Sequence, residues 1–311
     1  MSKECLEYTD DQGSLLHAVI RCNWKKLKKH ISGDFFKMYE DIINVIVNGF
    51  PGILDVTNNT GESVLHCWIR MMPDIDHYAF LELVNMFKSP RNIEKRNFSG
   101  QTVLHELASK VGDVKVELFQ ELLICLTSSR NILIQDKDGR TLLHVLAANI
   151  PFDAPSGLIS TLEQCFGSPT LIDIKDNLSQ TALHILAERY SMSFSEAFLQ
   201  LLDSVAPYSN VNTQDRDELT VLHILMKVIY TNPLQASASQ MLLKCIYSLT
   251  SEKNVNAVDK DSLTPYSWVL LCHMEHARTN SASSLVQDVQ CIFLNEGANE
   301  DLAKMGLRTD L

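Results

Sequence analysis

Short runs of closely spaced apolar residues recur along the chain, and each run follows a polar turn that ends in Ser or Thr. After Thr141, four of the five residues 142–146 are apolar, which predicts a short helix buried on most of its surface. The Thr141 hydroxyl is placed to cap that helix. A second helix, with apolar residues three and four apart, is predicted over 156–166, and another over 194–204. Because helices of about ten residues are marginal alone, the pattern predicts helix pairs that stack on their neighbours.

One short string recurs through the chain, as in Gly139-Arg-Thr-Leu-Leu-His144. The strings end at His17, His66, His105, His144, His184 and His223, and the pattern decays to a last string that ends at Ser267. Subtracting successive residue numbers gives intervals of 49, 39, 39, 40, 39 and 44. This spacing predicts an array of about seven repeats. Its approximate repeats are 10–57, 58–96, 97–135, 136–175, 176–214, 215–258 and 259–300, between an N-terminal tail at 1–9 and a C-terminal tail at 301–311.

The repeated strings resemble the ankyrin repeat, whose pattern is a turn, then G-x-T-P-L-H-x-A-A, a second helix and V-N-x-x-D. Val211-Asn212 and Val255-Asn256 with Asp259 match the last part, and 293–299 is similar to the end of a final repeat. The resemblance implies an all-α fold, a helical solenoid with short β-hairpin or loop tips. The period of about 39 residues exceeds the usual 33. The motif's proline survives only as Pro265, so the array is expected to be divergent, with longer loops.

Glycine is scarce, with 12 residues in 311. No GxGxxG or GxxxxGK[ST] string is present, which disfavours a phosphate-binding loop. The turn position of the repeat is held by glycine in the first four repeats and by Ser179, Glu218 and Ser262 in the last three. The low glycine count is therefore a sign of divergence within the repeats.

The formal net charge is −11, from 27 Lys and Arg against 38 Asp and Glu. An acidic surface disfavours direct binding to nucleic acid or to an anionic membrane, since that affinity comes from Lys and Arg. The acidic N-terminus has no apolar core, so no signal peptide is predicted. Eight cysteines without a CxxC pair indicate reduced thiols and not a disulfide framework. We expect a monomer located in the cytoplasm, the nucleus or both.

The repeated histidines invite a metal or catalytic interpretation. One histidine per repeat places them on the order of 10 Å apart, however, too far to share one zinc ion. The resemblance implies that they are structural and tie neighbouring repeats together by hydrogen bonds. Cys272, His273 and His276 form a tight Cys/His cluster, for which a zinc site is the alternative to a capping helix. No nucleophile motif is present, so we expect no enzyme, no cofactor and no metal.

A basic run stands out in this acidic chain, Trp24-Lys-Lys-Leu-Lys-Lys-His30. It fits a nuclear localisation signal or a contact for an acidic partner. It also fits the solvated face of a second helix, with Trp24, Leu27 and Ile31 directed inward.

The resemblance implies that partners contact the loop tips and the exposed face of the first helices. Carried onto this sequence, the partner-binding residues are Arg70, Phe98, Gln101, Lys110, Lys137, Arg140, Asn149, Leu178, Arg189, Arg216 and Lys227. Most of them are cations, which predicts a basic concave face and a partner with an acidic segment. Phe98 and Leu178 are apolar where a tip is usually polar, and they are candidate anchors.

Two functions remain as hypotheses. The first is a non-enzymatic protein–protein interaction module, an adaptor or scaffold of host or pathogen. The second resembles the inhibitors of NF-κB and sequesters a Rel-type transcription factor, although the N-terminus lacks a phosphodegron-like serine pair. An enzyme that uses Cys272, His273 and His276 is the remaining class.

Overall fold

The computed structural model describes residues 9–10, 13–21, 35–71, 77–167, 170–193, 195–232, 240–279 and 284–307. The chain divides into two compact units, the first unit (Met1–Asn149) and the second unit (Ile150–Leu311). Helices dominate both units.

The first unit opens with two short antiparallel strands, β1 (Thr9–Asp10) and β2 (Gly13–Ser14), in which Thr9 pairs with Ser14. Its helices are α1 (Leu15–Arg21), α2 (Phe35–Gly49), α3 (Val64–Arg70), α4 (His77–Phe87), α5 (Pro90–Glu94), α6 (Val103–Ser109), α7 (Val116–Leu126) and α8 (Leu142–Asn149), with 3₁₀ turns at Pro51–Asp55 and Asn131–Leu133. Helices α1, α3, α6 and α8 pack side by side in one row, and α4 packs on α7 in a second row.

The second unit repeats this arrangement. Its helices are α9 (Ser156–Phe166), α10 (Ala182–Ser193), α11 (Glu196–Val205), α12 (Val221–Thr231), α13 (Gln240–Leu249), α14 (Pro265–Thr279), α15 (Ser284–Asn295) and α16 (Glu300–Leu307), with a 3₁₀ turn at Ala206–Tyr208. Helices α10, α12, α14 and α16 form the row of first helices. Helices α9, α11, α13 and α15 form the row of second helices.

The core of each unit lies between its two rows. In the first unit the first helices are short, at seven or eight residues, and buried on most of their surface, as in α3, where 64–69 are all buried. Trp68 of α3 stacks on Phe80 of α4, with ring centroids 5.1 Å apart. In the second unit Tyr266 of α14 meets Phe293 of α15 at 6.0 Å. A first helix therefore contributes little solvent-facing surface except near its end and at the loop before it.

Two details differ from the sequence-based expectations, the start of α11 and the C-terminal segment. Helix α11 begins at Glu196 and not at 194, because Ser195 is extended and an acid in the first turn suits a helix N-terminus; residue 194 lies outside the described residues. The tips, expected to be β-hairpins or loops, are tight loops within the described residues, apart from β1–β2 and an isolated bridge from Thr57 to Ser63. The segment expected to be a C-terminal tail contains most of α16, which packs on α14.

Every repeated histidine is hydrogen-bonded at Nδ1, and five of them, His17, His66, His105, His184 and His223, are also hydrogen-bonded at Nε2. On one side Nδ1 lies 2.8–2.9 Å from the hydroxyl of the Ser or Thr three residues earlier, in all six repeats. The backbone N–H of that residue donates to the same nitrogen, as from Thr102 to His105 at 3.1 Å. Because an N–H can only donate, Nδ1 must be the acceptor, and the proton of the neutral ring lies on Nε2. The ring thus forms one half of a capping box, whose other half is the Ser or Thr side chain that accepts from the backbone N–H of the histidine, as at His66, His105 and His223.

On its other side the ring reaches the next repeat. Nε2 donates to a backbone carbonyl of the next tip, from His66 to Gln101 at 3.1 Å and from His105 to Arg140 at 3.0 Å in the first unit. In the second unit His184 donates to Leu219 at 3.1 Å and His223 to Leu263 at 3.2 Å. One side chain therefore caps its own helix and ties two repeats together.

The last repeat keeps this connection with a different side chain. Ser267 stands at the histidine position, and its hydroxyl accepts from the N–H of Thr264 and donates to the carbonyl of Ala303 in α16 at 3.0 Å. The shorter side chain is accommodated because α16, and not another loop tip, supplies the acceptor. Helix α16 thus covers the end of the first-helix row.

The buried histidines make stability depend on pH. Burial lowers the pKa of His17, His66, His105 and His184, and lowers that of His223 to about 4. As the pH falls below about 6.5, the unfolded chain binds protons that the folded chain does not, so the free energy of unfolding decreases. For His223 the expected loss is about 3 kcal/mol by pH 4, at about 1.4 kcal/mol per pH unit.

Urea unfolding at a series of pH values, followed by circular dichroism, measures this loss. The variant His223→Gln cannot titrate at that position. Its free energy of unfolding should therefore fall less steeply with decreasing pH, because unfolding takes up as much as one proton fewer than in the wild type. Equal unfolding free energies for the wild type at about pH 7.5 and about pH 5 would contradict the prediction.

Candidate partner-binding surface

The loop tips share one construction. At the start of each loop an Asn or Asp side-chain oxygen accepts hydrogen bonds from the backbone N–H groups two and four residues later. These residues are Asn58, Asn97, Asp136, Asp176, Asp215 and Asp259. The distances are all 2.8–3.0 Å. Such Asx turns hold the loop closed without a β-hairpin.

The fourth residue of each tip has a left-handed backbone. It is glycine at 61, 100 and 139, with φ between +76° and +78°. In the second unit Ser179, Glu218 and Ser262 adopt the same conformation, with φ of +59°, +62° and +61°. The non-glycine residues at this position therefore occupy a conformation that disfavours a side chain.

Backbone hydrogen bonds also join one tip to the next within each unit. In the first unit the N–H of Phe98 donates to Thr60, and the N–H of Lys137 donates to Ser99, both at 2.9 Å. In the second unit Arg216 donates to Leu178 at 2.8 Å, and Lys260 to Asp217 at 3.2 Å. The tips of a unit are thus held in register with one another.

The two apolar tip residues, Phe98 and Leu178, are exposed. The fraction of surface exposed is 65% for Phe98 and 48% for Leu178. Phe98 lies against the neighbouring tip, where a Cβ on Gly61 would come within 2.5 Å of its ring. One side of the ring therefore packs against the tip at Gly61, and the rest of it is exposed to solvent.

In the first unit, the predicted binding cations are engaged by carboxylates of the chain itself. Arg70 is bound by Glu62 of its own tip and by Glu106 of the next repeat, the latter at 2.9 Å. Burial opposes the ionised form of Glu62, but the hydrogen bonds from Arg70 and Asn58 outweigh it and lower the pKa of Glu62 to about 2. Arg70 is thus a link between repeats.

Two further cations of the first unit are also paired. Arg140 contacts Asp136 at 3.2 Å and Asp138 at 2.6 Å, and Lys110 lies 3.6 Å from Asp113. Lys137 is exposed at its tip. The charge that this unit presents to a partner is consequently smaller than its count of Lys and Arg suggests.

In the second unit, aromatic rings engage two of the predicted cations. The Arg189 guanidinium lies 4.2 Å from the centroid of the Phe152 ring and donates to the carbonyl of Ile150 at 2.8 Å. Burial lowers the pKa of Arg189. The Lys227 ammonium lies 5.8 Å from the Trp268 ring, while Arg216 is exposed at its tip.

The remaining predicted binding residues are polar. The carbonyl of Gln101 accepts the hydrogen bond from His66, and its side chain is half-buried beside Asn97. Asn149 is exposed at the end of α8, where its side-chain amide donates to the carbonyl of Val145 at 2.8 Å. Both residues lie where partner contacts are expected, but Gln101 also belongs to the connection between repeats.

The basic run at 24–30 lies outside the described residues, as does the side chain of His276. Among the residues that the structure describes, no three His, Cys, Asp or Glu side chains are grouped as a metal site would require. Cys272 is buried on α14, and burial raises the thiol pKa of two other cysteines, Cys67 to about 12 and Cys165 to about 11. Within the same ranges no helix is long and apolar enough to cross a bilayer.

Neither the Asx residues nor the carboxylates that bind Arg70 were predicted from the sequence. The Asx residues could have been found, because each stands eight residues before a histidine or before Ser267. Glu106 could not, because it lies 36 residues from Arg70 and only the stacking of α3 on α6 brings the two together.

The sequence matches no family model and no curated protein. The structure is similar to the ankyrin repeat domain of Bcl-3, described as a unique member of the IkappaB protein family, with 19% identity and a TM-score of 0.52 over 89% of this chain and 96% of that one. An ankyrin repeat domain from Acinetobacter baumannii is 18% identical, with a TM-score of 0.46, over 74% of this chain and 98% of that one. A chain from the complex of a Bdellovibrio bacteriovorus predatory endopeptidase with an immunity protein is 18% identical, with a TM-score of 0.46, over 76% of this chain and 99% of that one.

The chain therefore has the ankyrin-repeat fold. This confirms the fold class expected from the repeated strings. At this level of identity the likeness establishes the fold and leaves the partner to be argued from the surface.

The left-handed tip positions give a test of this geometry. Glu218→Gly should stabilise the chain by about 0.5–1 kcal/mol, because glycine adopts φ of +62° without a steric penalty. Gly100→Ser should destabilise it by about 2 kcal/mol or more, since the added Cβ would lie 2.9 Å from the backbone nitrogen of Lys137.

Thermal and urea unfolding of the two variants measure both effects. Glu218→Ala is the matched control, because it removes the charge and keeps the strained backbone, so it should gain much less than Glu218→Gly. A gain equal to that of Glu218→Gly would assign the effect to the charge instead.

Proposed function

We propose that the chain is a protein-binding module that acts as an adaptor or scaffold, with no chemistry of its own. The observation that supports this most directly is the exposure of Phe98 and Leu178 on tips that backbone hydrogen bonds hold in register. A large apolar side chain on a rigid loop is a typical anchor for a partner, since its burial releases water and little conformational freedom is lost. The partner contacts the tips and the exposed ends of the first helices.

The pairing of the cations modifies the expected chemistry of the partner. Arg70, Arg140 and Lys110 are engaged by carboxylates of the first unit. An acidic partner segment would meet Lys137 and Arg216, because both side chains are exposed at their tips. Rim charges of this kind guide association more than they add affinity. Apolar contacts at Phe98 and Leu178 are therefore the main source of affinity in this proposal.

Affinity purification from cell extract with quantitative mass spectrometry tests the proposal. The double variant Phe98→Ala, Leu178→Ala should lose the specific partners at least about tenfold, as expected when central anchors are truncated. The matched control is Ile124→Ala, Tyr247→Ala, which removes comparably exposed side chains, 80% and 67% exposed, from the second helices α7 and α13.

Full recovery of the partners with the tip variant, or their loss with the control variant alone, would contradict binding at the tips. Circular dichroism of both variants establishes that they are folded.

An inhibitor-of-NF-κB-like regulator is the second candidate. It is favoured by the likeness in fold to the ankyrin domain of Bcl-3, a protein of the IkappaB family. This function requires direct, stoichiometric binding of a Rel-type transcription factor. Mixing the purified chain with such a factor and measuring complex formation by size-exclusion chromatography separates the two candidates, since an adaptor for other proteins gives no complex.

A further inference from the structure

A cavity of about 310 Å³ lies on the second unit between the ends of α10 and α12. Its apolar wall is formed by Leu219, Ile224 and Val228, and its polar lining includes Glu188, Ser191 and Lys227. The cavity thus combines a mainly apolar surface with a few polar side chains, and it has room for one large side chain of a bound partner.

Glu188 is the acidic residue among those that line the cavity. Its carboxylate accepts a hydrogen bond from the side-chain amide of Gln180 at 2.7 Å. Among the residues that the structure describes, no Lys, Arg or His forms an ion pair with it. The two nearby cations are directed elsewhere, Arg189 to Phe152 and Lys227 to Trp268.

The surroundings of Glu188 also favour a positive charge. Burial, together with the negative charges of Asp215 and Asp176, raises the pKa of Glu188. A cation placed beside the carboxylate would relieve both effects, because it stabilises the ionised form in a partly desolvated site.

In the first unit, the position equivalent to Glu188 is occupied by Arg70, which forms ion pairs within the chain. Glu188 stands four residues after His184, as Arg70 stands four residues after His66. Arg70 is held by Glu62, four residues before its histidine, and by Glu106, one residue after the next histidine. The equivalent positions in the second unit hold Gln180 and Ile224.

The second unit therefore replaces an internal ion pair with a carboxylate beside an apolar wall. We propose that this cavity binds an arginine or lysine side chain of the protein partner, with Glu188 as its ionic contact and Leu219, Ile224 and Val228 against its stem and an adjoining apolar residue. The inference rests on the proposed function and adds a basic residue to the chemistry of the partner. The charge of this partner residue is opposite to that of the acidic segment expected from the sequence.

Two peptide pools test the inference on the full chain. Both have a central position flanked by randomised Leu, Ile, Val and Phe, with arginine at the centre of one pool and its neutral isostere citrulline in the other. Fluorescence anisotropy should show that the wild type binds the arginine pool at least about tenfold more tightly than the citrulline pool. Glu188→Gln should abolish this preference, and Glu188→Lys should transfer it to a third pool with a central glutamate.

Glu252→Gln is the matched control, because it removes an exposed carboxylate from the loop after α13 and should leave the preference unchanged. Equal binding of the arginine and citrulline pools, the absence of binding by either, or a preference that survives Glu188→Gln would overturn the inference. The pull-down with the Phe98 and Leu178 variant distinguishes the two failures. Partners that depend on these tips but not on Glu188 leave the proposed function standing, whereas the absence of any specific partner removes both.

Discussion

A neutral imidazole ring, bonded at both ends, sets the spacing of the repeats. One nitrogen accepts from the loop before its own helix, and the other donates to a backbone carbonyl of the next tip. That carbonyl is partly buried between repeats, and a buried polar group left unpaired costs about 1–3 kcal/mol. Because the ring has a fixed length, the tip that receives the bond cannot shift without losing it. The alignment of the tips, and hence the shape offered to a partner, follows from this contact.

The rigidity of the tips lowers the entropic cost of binding a partner. Less ordering is needed on association when backbone bonds already hold the loops, so a few exposed side chains are sufficient. The internal pairing of Arg70 and Arg140 removes much of the positive charge that the sequence suggests. In the proposed binding mode, selectivity depends on single charges that form no internal ion pair among the described residues, as with the Glu188 carboxylate, and less on net charge.

The repeating features could be predicted from the sequence because each is local. The spacing of the histidines, the turn position at Glu218 and the helix at Ser156–Phe166 depend on residues a few positions apart. The pairing of Arg70 with Glu106 could not, because it depends on the packing of one repeat against the next. Helix α16 was missed for a related reason, since its sequence carries no histidine motif and its place is determined by contact with α14.

Ser267, which stands at the histidine position of the last repeat, changes how the stability of the second unit depends on pH. Unlike imidazole, a hydroxyl does not bind a proton in mild acid, so the hydrogen bond from Ser267 to Ala303 does not depend on pH there. The connections made by His184 and His223 do become less stable in acid, because these side chains bind protons more readily once they are exposed. In a linear array, stability is a sum of contributions from repeats and from their interfaces. Mild acid thus weakens the interfaces made by His184 and His223 more than the interface made by Ser267. Amide hydrogen exchange should then show local opening increasing in the interior of the second unit more than at its C-terminal end.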